Sequence, residues 1–451
     1  MRFILLTALV AATPAAAAPI DTGAIDRLAT GILATTQVPS ASIAIVKGGR
    51  IVYAQAYGEQ APGHKATTAA RYPIASVSKQ FTATAILMLA DQGKLSLDDT
   101  VAKYLPGLTD ARHVTIRQLL SHTSGYRDFW PQDYDFAAME KPVQPMAILD
   151  TWAKAPLDFA PGSQWQYSNT GYVAAGLIAE KVSGEPLMRF FAEHIFAPLH
   201  MASAVDLDTG LTAADARPHM RYALGPVRLA TPAAKGWLYA AGPLAMSASD
   251  LARWDVAMLD RALLSPAGYI AQQTPVTLSD GSTTDYGLGL DIDMVNGHRR
   301  LHHGGEATGF LSENRVYPDD DAAIVVLVSA DFGDAQTAIA DGIEAALLPD
   351  ADQSAQARAL FAMLRSGAVD RSRFTANGNY YLTATAIADY KASLSALGEP
   401  IAFTHLSSKL RGGFTEDKFS VAYPNRKLSI VLRAEPGPHG RVEQFTVYPA
   451  S

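Results

Sequence analysis

Residues 73–81 read Pro73-Ile74-Ala75-Ser76-Val77-Ser78-Lys79-Gln80-Phe81. A helix is expected to start at Ser76 and to continue through Phe81, Ile86, Leu87 and Leu89. Lys79, three residues on, then shares a helical face with Ser76. A serine hydroxyl is a weak nucleophile until a base takes its proton. A lysine is such a base when burial and nearby positive potential keep it neutral. The helix N-terminus favours negative charge developing on a substrate. Taken alone, Ser-x-x-Lys is equally an N-cap serine followed by an exposed lysine, so the flanking segments have to decide.

Toward the N-terminus, the apolar runs 42–46 and 51–54 flank Lys47-Gly48-Gly49-Arg50, a hairpin pattern, and a helical pattern covers 22–36. Toward the C-terminus, residues 93–200 read as mostly helical, with a short helix at 115–120 and a longer one at 171–182 closed by Ser183-Gly184. Strand character returns at 311–317 and 323–328, around Pro318-Asp319-Asp320-Asp321, before a helix at 334–347. The acidic triplet reads as a solvated turn rather than a metal site. Strands, a helical insert, strands and a helix imply an α/β (α+β) fold. Its antiparallel sheet is made from both ends of the domain, with helices on its faces. Beyond residue 349, a short helix at 357–365, a helix capped by Thr383 and three alternating runs (Phe419/Val421/Tyr423, Leu428/Ile430/Leu432, Phe445/Val447) read as a small α+β module. The expected organisation is a leader at 1–17, a main domain at 18–349 and the module at 350–451.

The leader reading rests on Arg2, the apolar run 3–12 and the small residues Ala15-Ala16-Ala17, and it implies export to the periplasm or medium. No later stretch reaches the roughly 18 apolar residues of a membrane span. Over 451 residues, 37 Lys plus Arg against 44 Asp plus Glu give a net charge of −7, which argues against a nucleic-acid or anionic-membrane partner. The absence of cysteine excludes disulfides, zinc–thiolate and iron–sulfur sites and a thiol nucleophile.

Two further segments carry chemistry. In Gln166-Tyr167-Ser168-Asn169-Thr170, a tyrosine beside a lysine ammonium can pass through phenolate and relay protons, and the asparagine amide can bind a substrate amide and the lysine together. The plainer reading is a loop tyrosine and an N-cap asparagine. Tyr-x-Asn recurs at Tyr423-Pro424-Asn425, where a hairpin turn is expected. His302-His303-Gly304-Gly305-Glu306-Ala307-Thr308-Gly309-Phe310 is expected on an inner edge strand. Its glycines would admit a substrate backbone, and a backbone N–H after them could join that of Ser76 in an oxyanion hole. Adjacent histidines on a strand point to opposite faces and no His-Glu-x-x-His occurs, which argues against a metal.

In this order, the three segments resemble the motifs of the serine β-lactamase and penicillin-binding-protein superfamily. They most resemble the branch that holds class C β-lactamases, DD-carboxypeptidases and related esterases and D-amino-acid peptidases. The resemblance spans 22–348. It includes Asp91-Gln92-Gly93-Lys94-Leu95-Ser96-Leu97-Asp98-Asp99 and Thr115-Ile116-Arg117-Gln118-Leu119-Leu120-Ser121-His122-Thr123-Ser124-Gly125. It implies Ser76 as nucleophile, Lys79 and Tyr167 sharing the acid/base work, and Asn169 binding the substrate amide and placing Lys79. His303-Gly304-Gly305 stands where the family has Lys-Thr-Gly, and the N–H groups of Ser76 and Glu306 form the oxyanion hole. No cofactor or metal is implied. The third motif departs from the pattern: histidine carries less charge than lysine at neutral pH, and glycine lacks the threonine hydroxyl. This weakens recognition of a substrate carboxylate. It favours a hydrolase of small esters or D-amino-acid amides and peptides over the alternatives, a β-lactamase or DD-carboxypeptidase, or an acylating sensor with little turnover. Phe129 and Trp130 read either as pocket lining or as core aromatics.

Overall fold

Gly48 and Gly49, at φ 59° and 67°, turn the chain between strands β1 (Ser40–Lys47) and β2 (Arg50–Ala61), where the hairpin is expected. In this computed structural model the described residues are 20–295, 297–348, 353–436 and 440–450. The expected leader at 1–17 and the expected boundary at 349/350 lie outside them. The chain divides into two units, one ending at Leu347 and one beginning at Leu348.

In the first unit, β1 and β2 join β3 (His64–Lys65), β4 (Asp291–Val295), β5 (His298–Ala307), β6 (Phe310–Tyr317) and β7 (Ala322–Val328). The antiparallel order is β3-β2-β1-β7-β6-β5-β4, so strands from both ends of the domain meet at the β1–β7 pair. Every residue of β7, and all of β1 but Lys47, is buried. This accounts for their unbroken apolar runs, because helices cover strands that a one-sided sheet would leave alternating. The Ala248–Leu259 helix packs on β1 and β7, and the Ala335–Leu347 helix packs on β7 and on the Thr22–Thr36 helix. The 171–182 pattern becomes the helix Asn169–Ser183, stopped by Gly184 in the left-handed region. The short helix is Ile116–Leu120, held by a capping box from Thr115 and Gln118. Strand β4 has a mixed burial pattern in which only Ile292 is buried.

The helix expected from Ser76 differs at its start. Residues Ala75–Ser78 form a 3₁₀ turn and the α-helix begins at Lys79, running to Asp91. Ala75 sits at φ 45°, a conformation costly for a residue with a Cβ. That reversal presents Ser76 at the start of a helix that is buried almost all round.

The second unit is a four-stranded antiparallel sheet (Ala402–Arg411, Phe414–Tyr423, Arg426–Ala434, Val442–Pro449) against the helices Gln353–Ser366 and Ala384–Ser395. Phe419, Val421, Leu428, Ile430, Leu432 and Phe445 fill its core, as their alternation implies. Pro424 and Asn425 form the hairpin turn between Tyr423 and Arg426. The first strand escapes sequence reading because nearly all of it is exposed. No described helix is long and apolar enough to cross a membrane.

Candidate active site

The turn carrying Ser76 is bolted down from two sides. Ile74 N–H donates to Leu244 O at 2.9 Å, and Ser312 Oγ on β6 donates to Ile74 O at 2.9 Å. Gly305 on β5 passes so close that a Cβ there would lie 2.2 Å from both Ile74 O and Ser312 Oγ. Glycine is thus the residue that lets β5 reach the Ser76 turn.

Lys79 is fully buried, and its Nζ has three partners: Ser76 Oγ at 2.9 Å, Asn169 Oδ1 at 2.8 Å and Ala241 O at 2.9 Å. Burial pushes its pKa down to about 7, opposed by the charge of Asp128. Ala241 O only accepts hydrogen bonds. Asn169 Oδ1 is also an acceptor, because its Nδ2 donates to Asp128 Oδ2 at 3.3 Å. A neutral Lys79 therefore spends its two hydrogens on those two oxygens and turns its lone pair toward Ser76 Oγ. The serine hydroxyl then donates to the amine, which is the arrangement a general base requires.

Asp128 is the anchor of this arrangement. Its Oδ1 accepts the backbone N–H of Asn169 at 2.9 Å, so one carboxylate fixes both the position of Asn169 and the sense of its amide. Asp128 is buried, and burial raises its pKa against the pull of the N–H groups of Trp130 and Asn169. Ser168 caps the following helix by accepting Gly171 N–H at 3.3 Å. Tyr167 is half-buried with its ring 4.9 Å from Lys79 Nζ. Desolvation pushes its pKa up, against the Ser76 side chain beside it, so at neutral pH it is a phenol and a proton donor rather than a phenolate.

Ser76, Lys79, Tyr167 and Asn169 are thus brought together. The residues on β5 separate into two sets. His303 is buried, with Nδ1 2.5 Å from Gly304 O and Nε2 3.0 Å from the Tyr286 hydroxyl. Facing a carbonyl, Nδ1 carries the proton and Nε2 accepts from Tyr286. Burial and the neighbouring Lys79 push its pKa down to about 3, so it is neutral. Both nitrogens are occupied, and the expected contact of His303 with substrate is replaced by a contact with Tyr286. The cause is strand alternation: His303 and Gly305 take buried positions, Gly304 and Glu306 exposed ones. His302, one residue earlier, points to Asp293 instead.

A cavity of about 370 Å³ opens on Ser76, Tyr167 and Asn169. Its other walls include Trp130, Leu238 and Thr308, and four carboxylates: Asp128, Asp133, Glu306 and Asp331. Among the described residues, no lysine, arginine or histidine side chain lines it. Desolvation and the carboxylates of Asp133, Asp331 and Asp334 push the pKa of Glu306 up to about 7. Trp130 lines this wall while Phe129 is buried in the core, so the two aromatics divide between the two readings. Strand β4 pairs with β5 only as far as His302, which leaves residues 303–307 with an open edge beside the cavity.

No sequence pattern marks Asp128, Tyr286 or the Ala241 carbonyl, and His122 stands only within a segment that flanks the motifs. Asp128 carries no local signal, since its partner lies 41 residues away.

Comparison with known proteins adds a lineage. The family model described as Beta-lactamase matches residues 25–347. The chain is 30% identical to a D-aminopeptidase of Brucella canis over 319 residues, covering 68% of this chain and 60% of that protein. It is also 30% identical to penicillin-binding protein 4* of Bacillus subtilis over 317 residues, covering 63% of this chain and 67% of that protein. Among solved structures it resembles a D-stereospecific amidohydrolase from Streptomyces sp., with a TM-score of 0.63 and 29% identity, covering 73% of this chain and 99% of that one. The chain thus spans about 60% of the length of the D-aminopeptidases it matches.

Proposed function

The chain belongs to the β-lactamase family and is a serine hydrolase of that family, and on this premise we propose that it cleaves amides and esters of D-amino acids bearing a free α-ammonium, through an acyl-enzyme on Ser76. The observation that carries the proposal is the cavity wall, with four carboxylates and no basic side chain. A β-lactam or a peptide C-terminus brings a carboxylate, which such a wall repels. An α-ammonium is attracted, with Glu306 the carboxylate that β5 contributes to the wall. The choice of the D series is supported by the D-aminopeptidase and D-stereospecific amidohydrolase relatives.

The chemistry follows from the polar contacts. Neutral Lys79 accepts the Ser76 proton as Oγ bonds the acyl carbon. The N–H groups of Ser76 and Glu306 receive the oxyanion. Tyr167 gives its proton to the departing nitrogen and is resupplied by the Lys79 ammonium, so no net charge is left in the site. Water then attacks the ester, its proton passes to the same pair, and Ser76 leaves with a proton restored. His303, neutral and held by Tyr286, serves as packing beside Tyr167 rather than as a carboxylate receptor. The leader pattern at 1–17 supports export as part of the same proposal, checked by the N-terminus and cell fraction of the mature protein.

A substrate panel tests the reading. D-alanine p-nitroanilide is expected to turn over, its N-acetyl derivative and L-enantiomer at least tenfold more slowly. Ser76→Ala is expected to abolish turnover. Faster turnover of a chromogenic cephalosporin or a D-Ala-D-Ala peptide, or indifference to N-acetylation, would overturn it.

A further inference from the structure

His122 is buried at φ 60°, a backbone conformation that a non-glycine residue rarely adopts. Three of its groups grip three consecutive residues of the Tyr167 segment. Its carbonyl accepts Gln166 N–H at 2.9 Å. Its ring lies 4.2 Å from the Tyr167 ring, tilted by 32°. Its Nδ1 accepts Ser168 N–H at 3.0 Å. Accepting at Nδ1 places the ring proton on Nε2, which is buried and has no hydrogen-bond partner among the described residues. A strained backbone and an unmatched buried donor both oppose folding, and such costs persist where the surroundings force a geometry. The ring is enclosed by Trp165, Tyr172 and Tyr286 besides Tyr167, which leaves it one orientation.

We infer that His122 is a positioning residue: it sets the Tyr167 hydroxyl against Ser76 and Lys79. The inference rests on the roles proposed above for Ser76 and Tyr167. His122 touches neither substrate nor a reacting atom. It acts by fixing the backbone on both sides of Tyr167 and the plane of its ring. Asn169, held separately by Asp128, follows in the same segment.

The experiment measures kcat/KM for D-alanine p-nitroanilide, whose departing nitrogen takes the Tyr167 proton, beside the amplitude of Ser76 labelling by an uncharged fluorophosphonate, whose departing fluoride takes none; the labelled peptide is identified by mass spectrometry. His122→Ala is expected to lower kcat/KM by roughly ten- to a hundredfold, the loss typical of a misplaced catalytic group, while the labelling amplitude per folded molecule stays near one. His122→Asn tolerates positive φ and keeps an acceptor for Ser168 N–H, so it is expected to recover most of the rate. In a Tyr167→Phe background, His122→Ala is expected to add little, because the group it positions is already gone. Should His122→Ala not fold, His122→Gly, which accepts the positive φ and lacks the ring, and its Tyr167→Phe double mutant give the same comparison. Wild-type kcat/KM in a folded variant that lacks the ring, or fully additive losses in the double mutant, would overturn the positioning role alone. Labelling of wild type at a residue other than Ser76 would overturn the reading of the site and this inference together.

Discussion

The protonation of Lys79 sets the acid limb of the reaction, and its position follows from burial. The amine is fully buried, and its pKa falls from the ordinary 10.5 to about 7. Only the neutral amine offers Ser76 a lone pair, so acylation is expected to follow the neutral fraction. The rate should be half-maximal near pH 7 and fall about tenfold for each pH unit below it. An uncharged fluorophosphonate, followed by stopped-flow from pH 5 to 9, reads this limb without interference from the titration of Glu306. Lys79→Met should label slowly and without this limb. The same depression has a second, independent reading in stability. The unfolded chain keeps the Lys79 proton up to about 10.5, whereas the folded chain releases it near 7, so between those values the unfolded state binds more protons and stability rises with pH. The gap corresponds to about 5 kcal/mol. Urea titrations of wild type and Lys79→Met should therefore diverge in favour of wild type by about that amount between pH 7 and 10.5. An acid limb near pH 10, or a stability difference flat across this window, would refute the assignment of a neutral, buried base.

Three further outcomes follow from named contacts. Asp128→Asn removes the charge that raises the Lys79 pKa and loosens the hold on the Asn169 amide. Ser76 labelling should slow by roughly tenfold, consistent with about 1–3 kcal/mol for a poorly satisfied buried group, and its acid limb should move to lower pH. Gly305→Ala places a Cβ 2.2 Å from Ile74 O and Ser312 Oγ, whereas at Gly304 the nearest atom is 3.8 Å away. Urea titration should show a loss of about 1–3 kcal/mol and slow labelling for Gly305→Ala, with Gly304→Ala close to wild type. Glu306→Gln should raise KM for a free-amine substrate about fivefold, equivalent to about 1 kcal/mol, and leave its N-acetyl derivative unaffected. Because the Glu306 carboxylate forms as pH rises through about 7, wild-type affinity for the ammonium should strengthen across that range, and the variant's should not.

The sheet was legible because its signals are local. The glycine pair at 48–49, the apolar runs of β1 and β7 and the capped helix after Ser168 each announce themselves within a dozen residues. The meeting of Ser76 and Lys79 was legible for the same reason, the two being three residues apart. The groups that orient them were not. The Ala241 carbonyl lies 162 residues from Lys79, and no side-chain pattern marks a carbonyl as an acceptor. His303 was expected to contact substrate because its motif fits. Its direction, however, depends on strand alternation against β6 and on Tyr286, 17 residues upstream, which has no motif of its own.

The meeting of β1 and β7 at the centre of the sheet also governs how the chain acquires activity. Ser40 and Ser329 share a 2.7 Å hydrogen bond across 289 residues of sequence. Closing such a long loop is entropically costly and slow. The Ser76 turn is fastened to β6 and approached by Gly305, so its geometry depends on strands that leave the ribosome late. A nascent chain that has emerged only through Asn169 holds Ser76, Lys79, Tyr167 and Asn169, yet lacks the frame that aligns them. Its hydrolytic capacity is an event of final assembly, silent until the last strands arrive.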